Sequence, residues 1–250
     1  MRAAWYEKQG PASEVLQLGN LPTPEPEQGE VRVKLSFSGV NPSDTKRRLG
    51  FGGQKMAYPA IVPHSDGSGV IDQVGTGVPK NRIGERVWIY CGQWERAHGT
   101  AADYISIREN HAIHLPDNIE LTSGACLGIP AVTAHRALFS DGPIKGLTVL
   151  VTGGAGAVGN YAIQLAKWGG AERVITTCSS PEKENQAKAA GADLVINYKE
   201  EDVSAKIMDA TDGQGVDRIV EVAFGANLPS TVVLLKDNGI ISAYASDIEP

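Results

Sequence analysis

The pattern of apolar and polar positions divides the chain into two halves. Between residues 148 and 245, short apolar runs alternate with stretches of helical periodicity, which is typical of β-α-β units. The pattern predicts strands at 148–152, 173–177, 194–198, 218–224 and 239–245, and helices at 160–168, from Pro181 onward, at 203–210 and at 228–236. Such units build a parallel sheet that binds ligands at the carboxyl ends of its strands.

The first half has a different pattern. Residues 30–38 alternate apolar and polar side chains with a period of two, which predicts a half-buried strand. Further apolar runs at 68–74, 86–90, 102–107 and 111–115 lie between Gly, Pro and Asn turns, as in a compact β-barrel or sandwich. A helix is predicted at 123–139. We therefore expect a β domain at 1–122 and an α/β domain at 123–250, with a ligand cleft between them.

Composition narrows the functional classes. The 250 residues are 42% hydrophobic and 21% charged, as in ordinary globular proteins. A formal net charge of −6 argues against a general nucleic-acid surface, with the basic cluster Lys46-Arg47-Arg48 as a local exception. No apolar run approaches the roughly 20 residues of a membrane span, and the first residues hold no signal-peptide core. We expect a cytoplasmic protein without a membrane partner.

A glycine-rich turn at residues 153–159 carries the strongest chemical signal. Gly154, Gly156 and Gly159 fit G-x-G-x-x-G, and Gly153 with the latter two fits a second frame, so the sequence leaves the phase open. A bound pyrophosphate needs N–H groups at a helix N-terminus, a turn that tolerates positive φ, and no Cβ at the closest approach. A plain strand-to-helix turn is the alternative, but the surrounding β-α-β pattern favours a dinucleotide site.

Three segments carry a resemblance to a known family. Residues 38–44 (Ser-Gly-Val-Asn-Pro-Ser-Asp), 65–71 (Ser-Asp-Gly-Ser-Gly-Val-Ile) and 153–159 resemble the zinc-free quinone oxidoreductase, or zeta-crystallin, branch of the medium-chain dehydrogenase/reductases. The resemblance implies a GroES-like catalytic domain, a Rossmann domain, NADPH as hydride donor, and quinones or α,β-unsaturated carbonyls as acceptors. It also implies a homodimer in the full-length form. Because family members extend beyond residue 250, we expect a fragment or a shortened variant whose last Rossmann strand is missing.

The metal-dependent dehydrogenases that resemble this chain bind a catalytic zinc ion through Cys, His and Cys. At those three positions this chain has Asn41, Ser65 and Ile129, and His64 is one residue out of register. Neither an alkyl group nor an amide is a usual zinc ligand. The comparison therefore predicts no metal site, so that the acceptor carbonyl is polarised by hydrogen bonds.

Four residues are candidates for the catalytic site. The resemblance places Asn41 in the nicotinamide or substrate pocket, where its amide donates to an oxygen, although Asn41-Pro42-Ser43-Asp44 also fits a helix N-cap. Thr133 resembles a residue at the nicotinamide edge, or is a hydroxyl inside a helix. Lys46 occupies a position where the family often has an aromatic hydroxyl. Tyr58 either lines the cleft or packs beside Pro59.

The end of the second predicted strand indicates which dinucleotide binds. NAD enzymes usually place Asp or Glu there to hold the ribose, and residues 177–180 read Thr-Cys-Ser-Ser. The absence of a carboxylate favours NADPH, and Ser179, Lys183 and Tyr198 resemble the family's phosphate contacts, although Lys183 also suits a solvated helix turn. The complete set of expected cofactor contacts is Gly153, Gly154, Ala155, Gly156, Ala157, Val158, Gly159, Ser179, Lys183, Tyr198, Ala223 and Tyr244.

Three functions are compatible with these features. The first is an NADPH-dependent, zinc-independent oxidoreductase that reduces quinones or α,β-unsaturated carbonyls. The second is a related enoyl-thioester or alcohol reductase. The third is a non-catalytic NADPH-binding protein of crystallin or RNA-binding type, for which the acidic charge makes RNA the weaker partner.

Overall fold

The computed structural model describes residues 1–246. Residues 247–250, the last four of the predicted second domain, lie outside the described residues. The chain folds into two compact units, one at Met1–Ile129 and a second that begins at Pro130. The boundary between residues 122 and 123 stays a prediction.

The first unit is built on antiparallel sheets. A hairpin pairs β1 (Arg2–Trp5) with β2 (Gln17–Asn20) around the short helix α1 (Ala12–Val15). A five-stranded sheet has the order β6-β3-β4-β5-β7, and its strands are β3 (Glu30–Gly39), β4 (Asp66–Val74), β5 (Arg86–Ile89), β6 (Tyr104–Arg108) and β7 (Ala112–His114). Alternate residues such as Val31 and Val33 are fully buried, because one face of each strand covers the core. Helices α2 (Pro42–Leu49) and α3 (Leu121–Gly124) complete this unit.

The second unit is a parallel sheet with the strand order β10-β9-β8-β11-β12. Its elements in chain order are α4 (Pro130–Phe139), β8 (Thr148–Val151), α5 (Ala157–Trp168), β9 (Arg173–Cys178), α6 (Pro181–Ala189), β10 (Leu194–Asn197), α7 (Val203–Ala210), β11 (Val216–Glu221), α8 (Phe224–Leu234) and β12 (Leu235–Ala243). The predicted α/β class, with a Rossmann sheet and a separate antiparallel β unit, is confirmed.

Helices cover both faces of the parallel sheet. Val149 and Val151 pack into the cluster formed with α4 and α5, whereas Leu150 packs into the cluster that includes Ile207 of α7 and Leu234 of α8. Successive strand residues point to opposite faces, so both faces require cover. The strand order reverses between β8 and β11, and the carboxyl ends of these two strands mark the expected ligand crevice.

The structure corrects several predicted elements. The single helix predicted at 123–139 is divided into α3 and α4, because Pro130 has no N–H for a continuing helix and Gly128 packs against Asp66. Near the C-terminus, α8 starts at Phe224 rather than 228 and β12 at Leu235 rather than 239. The N-terminal hairpin was not predicted. Among the described residues, no helix has the length and apolar character that crossing a membrane requires.

Candidate functional site

The glycine-rich turn joins β8 to α5, and its glycines perform separate tasks. Gly153 has a φ of +68°, which favours glycine, and Gly156 is the N-cap of α5. A Cβ on Gly154 would come within 2.1 Å of Thr176 Oγ1, and a Cβ on Gly159 within 2.4 Å of the Gly153 carbonyl oxygen. The backbone therefore requires glycine at 153, 154 and 159, which includes the first glycine of each frame, whereas Gly156 has an ordinary φ of −72° and no obstacle closer than 3.2 Å.

The turn leaves backbone donors at the start of α5. The N–H groups of Gly153 and Gly154 are bound to Thr177, and that of Gly156 donates to the Gly153 carbonyl oxygen. By helix geometry the first N–H groups of α5, from Ala157 onward, have no acceptor inside the helix. These N–H groups, beside Ala155 and Val158, are donors of the kind that a pyrophosphate site at a helix N-terminus requires.

The end of β9 lies beside this turn in the sheet order and carries no carboxylate at residues 177–180. Lys183 Nζ donates to Ser179 Oγ at 2.9 Å, so the two expected phosphate contacts are adjacent. Ser180 caps α6 by accepting from the Lys183 backbone N–H. Tyr198 follows β10 with 53% of its surface exposed, and its N–H donates to the Cys178 carbonyl oxygen.

Glu221 joins the ends of β8 and β11, and it was not among the residues predicted from the sequence. Its side chain is fully buried, and Oε1 accepts from the Thr152 hydroxyl at 2.9 Å, the Ala223 N–H at 2.6 Å and the Asn227 amide at 2.9 Å. Within residues 1–246, Oε2 has no hydrogen-bond partner. The carboxylate therefore fixes the residue before the glycine turn and the loop that contains Ala223. The only sequence signal is an acid that directly follows an apolar run.

Thr133 and Tyr244 line one pocket of about 410 Å³ in the second unit, between α4 and the carboxyl end of β12. The structure thus brings together two expected site residues that lie far apart in the sequence. Arg136 and Ser140 line the same pocket and were missed. Their spacing of three and seven residues from Thr133 places them on the same helix face, which is the signal that could have found them.

In the first unit, Asn41 has a capping role and a buried acidic neighbour. Asn41 and Asp44 form a capping box at the start of α2, in which the Asn41 N–H donates to Asp44 Oδ2 at 2.8 Å. The Asn41 side-chain amide donates to Asp66 Oδ2 at 2.8 Å. The observed contacts are therefore those of the capping alternative, and a role of Asn41 in a pocket stays a prediction.

Burial changes the acid-base behaviour of this cluster. Burial raises the pKa of Asp66 to about 6, against the opposing effects of the Ile129 backbone N–H and the Asn41 amide. Burial also raises the pKa of Asp44 and lowers that of His64. Ser38 Oγ lies 2.9 Å from His64 Nδ1, and both line a pocket of about 650 Å³ in this unit. Ser38 Oγ also lies 2.9 Å from Thr100 Oγ1.

Tyr58 lines a separate cavity of about 290 Å³, which we call the tyrosine pocket. The residues that line it include Tyr6, Arg47, Met56, Gln93 and Trp94. The Tyr58 hydroxyl donates to the Glu95 carbonyl oxygen. Lys46 lies over the Phe51 ring, with Nζ 5.0 Å from the ring centre. Neither Asn41 nor Lys46 is among the residues that line this pocket, so the structure does not place the expected catalytic residues of this unit around one cavity.

The three positions compared with zinc ligands hold an amide, a hydroxyl and an alkyl group. The Asn41 amide is bound to Asp66, and Ser65 is 7% exposed.

His111 ends a 3₁₀ turn instead of starting a strand, which corrects the predicted strand at 111–115. Its ring packs against the ring of Tyr90. In the described part of the chain, His, Cys, Asp and Glu form no group of three or more suited to a metal ion.

Comparisons with known proteins match both units. Residues 27–117 match the family described as "Alcohol dehydrogenase GroES-like domain", and residues 157–248 the family described as "Zinc-binding dehydrogenase". The rat quinone oxidoreductase is 35% identical over 236 residues, which cover 94% of this chain and 69% of the relative. The human quinone oxidoreductase is 32% identical over 243 residues, which cover 96% of this chain and 71% of the relative.

Solved structures also match both units of this chain. An Escherichia coli quinone oxidoreductase complexed with NADPH is 25% identical with a TM-score of 0.83, and the match covers 100% of this chain and 76% of that chain. An NAD-dependent alcohol dehydrogenase is 32% identical with a TM-score of 0.87, and the match covers 100% of this chain and 80% of the other. These two proteins use different forms of the nicotinamide cofactor.

Proposed function

Since the chain belongs to the quinone oxidoreductase branch of the medium-chain dehydrogenase/reductase superfamily, we propose that it transfers a hydride from NADPH to a quinone or another α,β-unsaturated carbonyl compound, without a zinc ion. The oxidoreductase class and a small-molecule substrate follow from that membership. The observation that carries the proposal is the turn at Gly153–Gly159, where a Cβ on Gly154 or Gly159 would collide with protein atoms and the first N–H groups of α5 are free of helix acceptors.

The preference for NADPH over NADH is supported by charge. Residues 177–180 contain no carboxylate that would repel a 2′-phosphate, and Lys183 is held against Ser179 at the end of β9. A lysine and a hydroxyl both donate hydrogen bonds to phosphate oxygens. When bound, NADPH supplies the hydride, and the residues of this chain bind and orient the reactants.

Zinc independence is supported by the donor atoms of the chain. Asn41, Ser65 and Ile129 do not offer the thiolate or imidazole groups that hold a catalytic zinc ion. Orientation of the two reacting groups is then the main source of rate, and it contributes as much as about 7–11 kcal/mol in well-aligned reactions. Thr133 and Tyr244, which share a pocket, are proposed to align the nicotinamide end of the cofactor. The homodimer and the cytoplasmic location stay predictions.

The activity is tested directly by mixing the chain with NADPH and a 1,4-naphthoquinone. We expect the absorbance of the reduced nicotinamide to fall, and a chelator such as 1,10-phenanthroline to leave the rate unchanged, because no step uses a Lewis acid. A rate that chelation abolishes and added zinc restores would contradict zinc independence. Tight NADPH binding with no turnover of any quinone or enone would indicate the non-catalytic alternative.

The Lys183→Ala variant tests the choice of cofactor. We expect its affinity for NADPH to fall about fivefold, equivalent to about 1 kcal/mol, because a solvent-screened contact between the lysine and the 2′-phosphate is lost. Its affinity for NADH should not change. Calorimetric titration with both cofactors measures the difference, and Lys188→Ala, which removes a lysine paired with Glu184 on the same helix, is the matched control. Equal losses for NADPH and NADH would argue against a 2′-phosphate contact.

A further inference from the structure

The tyrosine pocket combines ring walls with a charged group, and none of its lining residues belongs to the cofactor site described above. Tyr6 is 1% exposed and packs with Met56 and Tyr58, whereas Trp94, at the rim, is 59% exposed. Flat aromatic walls suit a flat ligand, and about 290 Å³ lies near the lower limit for small-molecule pockets. The pocket therefore has the size and shape for a ligand of one or two rings.

Arg47 supplies a positioned positive charge in this pocket. Its Nη1 donates to the side-chain and backbone oxygens of Gln93, and Gln93 is held in turn because its Nε2 donates to the Arg96 carbonyl oxygen at 2.8 Å. Within the described residues 1–246, Nε and Nη2 of Arg47 make no hydrogen bond. The guanidinium is thus fixed at one end and has donors left at the other.

The charges around the pocket favour an anion. Lys55 lines the pocket together with Arg47, and Glu95 is the one acid among the lining residues, so the positive charges in the wall outnumber the negative. Asp44, one turn earlier on α2, lies close enough to Arg47 for that arginine to lower its pKa, but burial raises the pKa of Asp44 and it does not line the pocket. The free donors of a guanidinium match the oxygens of a carboxylate or sulfonate.

We propose that the tyrosine pocket binds the acceptor and that Arg47 gives it a preference for quinones with an anionic substituent. This inference rests on the proposed function, because the ligand is an acceptor only if the chain transfers a hydride to it. The binding preference itself can be measured without turnover. Arg47 lies on α2, six residues after the N-cap residue Asn41.

The test compares two naphthoquinones of similar ring size, neutral 2-methyl-1,4-naphthoquinone and 1,4-naphthoquinone-2-sulfonate. Binding is followed by quenching of tryptophan fluorescence, and Trp94→Phe shows which part of the signal comes from the pocket. We expect the sulfonate to bind the unmodified chain about fivefold more tightly than the neutral quinone, because one screened ion pair adds up to about that factor.

The Arg47→Met and Arg47→Gln variants should bind both quinones equally, with the affinity for the neutral quinone unchanged within about twofold. Arg48→Met is the matched control, because Arg48 donates to the Gly10 carbonyl oxygen and does not line the pocket. A sulfonate preference that persists in both Arg47 variants, or quenching that is undiminished in Trp94→Phe, would overturn the proposal. Turnover of quinones without a charge preference would refute this inference alone, whereas charge-selective binding without turnover would refute the proposed function and leave only the charge-selective binding site.

Discussion

The Gly159→Ala variant is expected to lose about 3 kcal/mol of its free energy of unfolding, near the upper end of the usual cost of overpacking. The added Cβ would lie 2.4 Å from the Gly153 carbonyl oxygen and 2.9 Å from Gly154 Cα. Both obstacles are backbone atoms, so no rotamer change relieves the clash, and α5 would have to move away from β8. Urea unfolding followed by circular dichroism measures the loss.

Gly156→Ala is the informative control for this experiment. At that position the only obstacle is the Gly153 carbonyl oxygen at 3.2 Å, and φ is −72°, which any residue adopts. The fold should therefore survive with a loss of about 1 kcal/mol or less, whereas NADPH affinity should fall strongly because a methyl group then occupies the space closest to the phosphates. Equal stability of the two variants would show that α5 shifts without cost and would contradict the packing argument.

The Glu221→Ala variant should lower the free energy of unfolding by about 3 kcal/mol or more, since each buried donor left without an acceptor costs about 1–3 kcal/mol. Three donors converge on Oε1, and they belong to Thr152, Ala223 and Asn227. Losing their common acceptor releases the loop after β11 from the end of β8. We therefore also expect weaker NADPH binding, measured by calorimetry alongside urea unfolding.

Glu221→Gln separates the hydrogen bonds from the charge. Glutamine keeps an acceptor oxygen at the position of Oε1, and its amide group takes the place of Oε2, which receives no hydrogen bond in the described part of the chain. We expect a loss of about 1 kcal/mol, clearly smaller than that of the alanine variant. If alanine and glutamine prove equally destabilising, the three donors do not depend on this oxygen.

The sequence predicted the order of strands and helices in the second unit because burial of each element produces a local pattern of apolar residues in the sequence. Apolar runs at 148–152 and 173–177 correspond to β8 and β9, and the helix at 203–210 matches α7 in full. Errors arose where a contact distant in sequence decides the boundary. Pro130 and the packing of Gly128 against Asp66 end a helix that periodicity alone would continue.

The candidate site was predictable only in part. Contacts within a few residues, such as Ser179 with Lys183 or Asn41 with Asp44, follow from spacing along a turn or a helix. The pocket that contains Thr133 and Tyr244 depends on how α4 packs beside β12, and no spacing rule gives that distance. For the same reason the tyrosine pocket could not be predicted, although Tyr58 was already a candidate.

By itself, the sequence determined the two-part α/β architecture and the presence of a glycine turn built for a dinucleotide, because both depend on short-range backbone and burial preferences. The tertiary structure alone decided that packing requires glycine at 154 and 159 and that Glu221 holds the turn in place. The Thr152 hydroxyl and the Glu221 carboxylate are 69 residues apart in the chain and 2.9 Å apart in space. Such a contact exists only after parallel strands have packed side by side, and no local pattern records it.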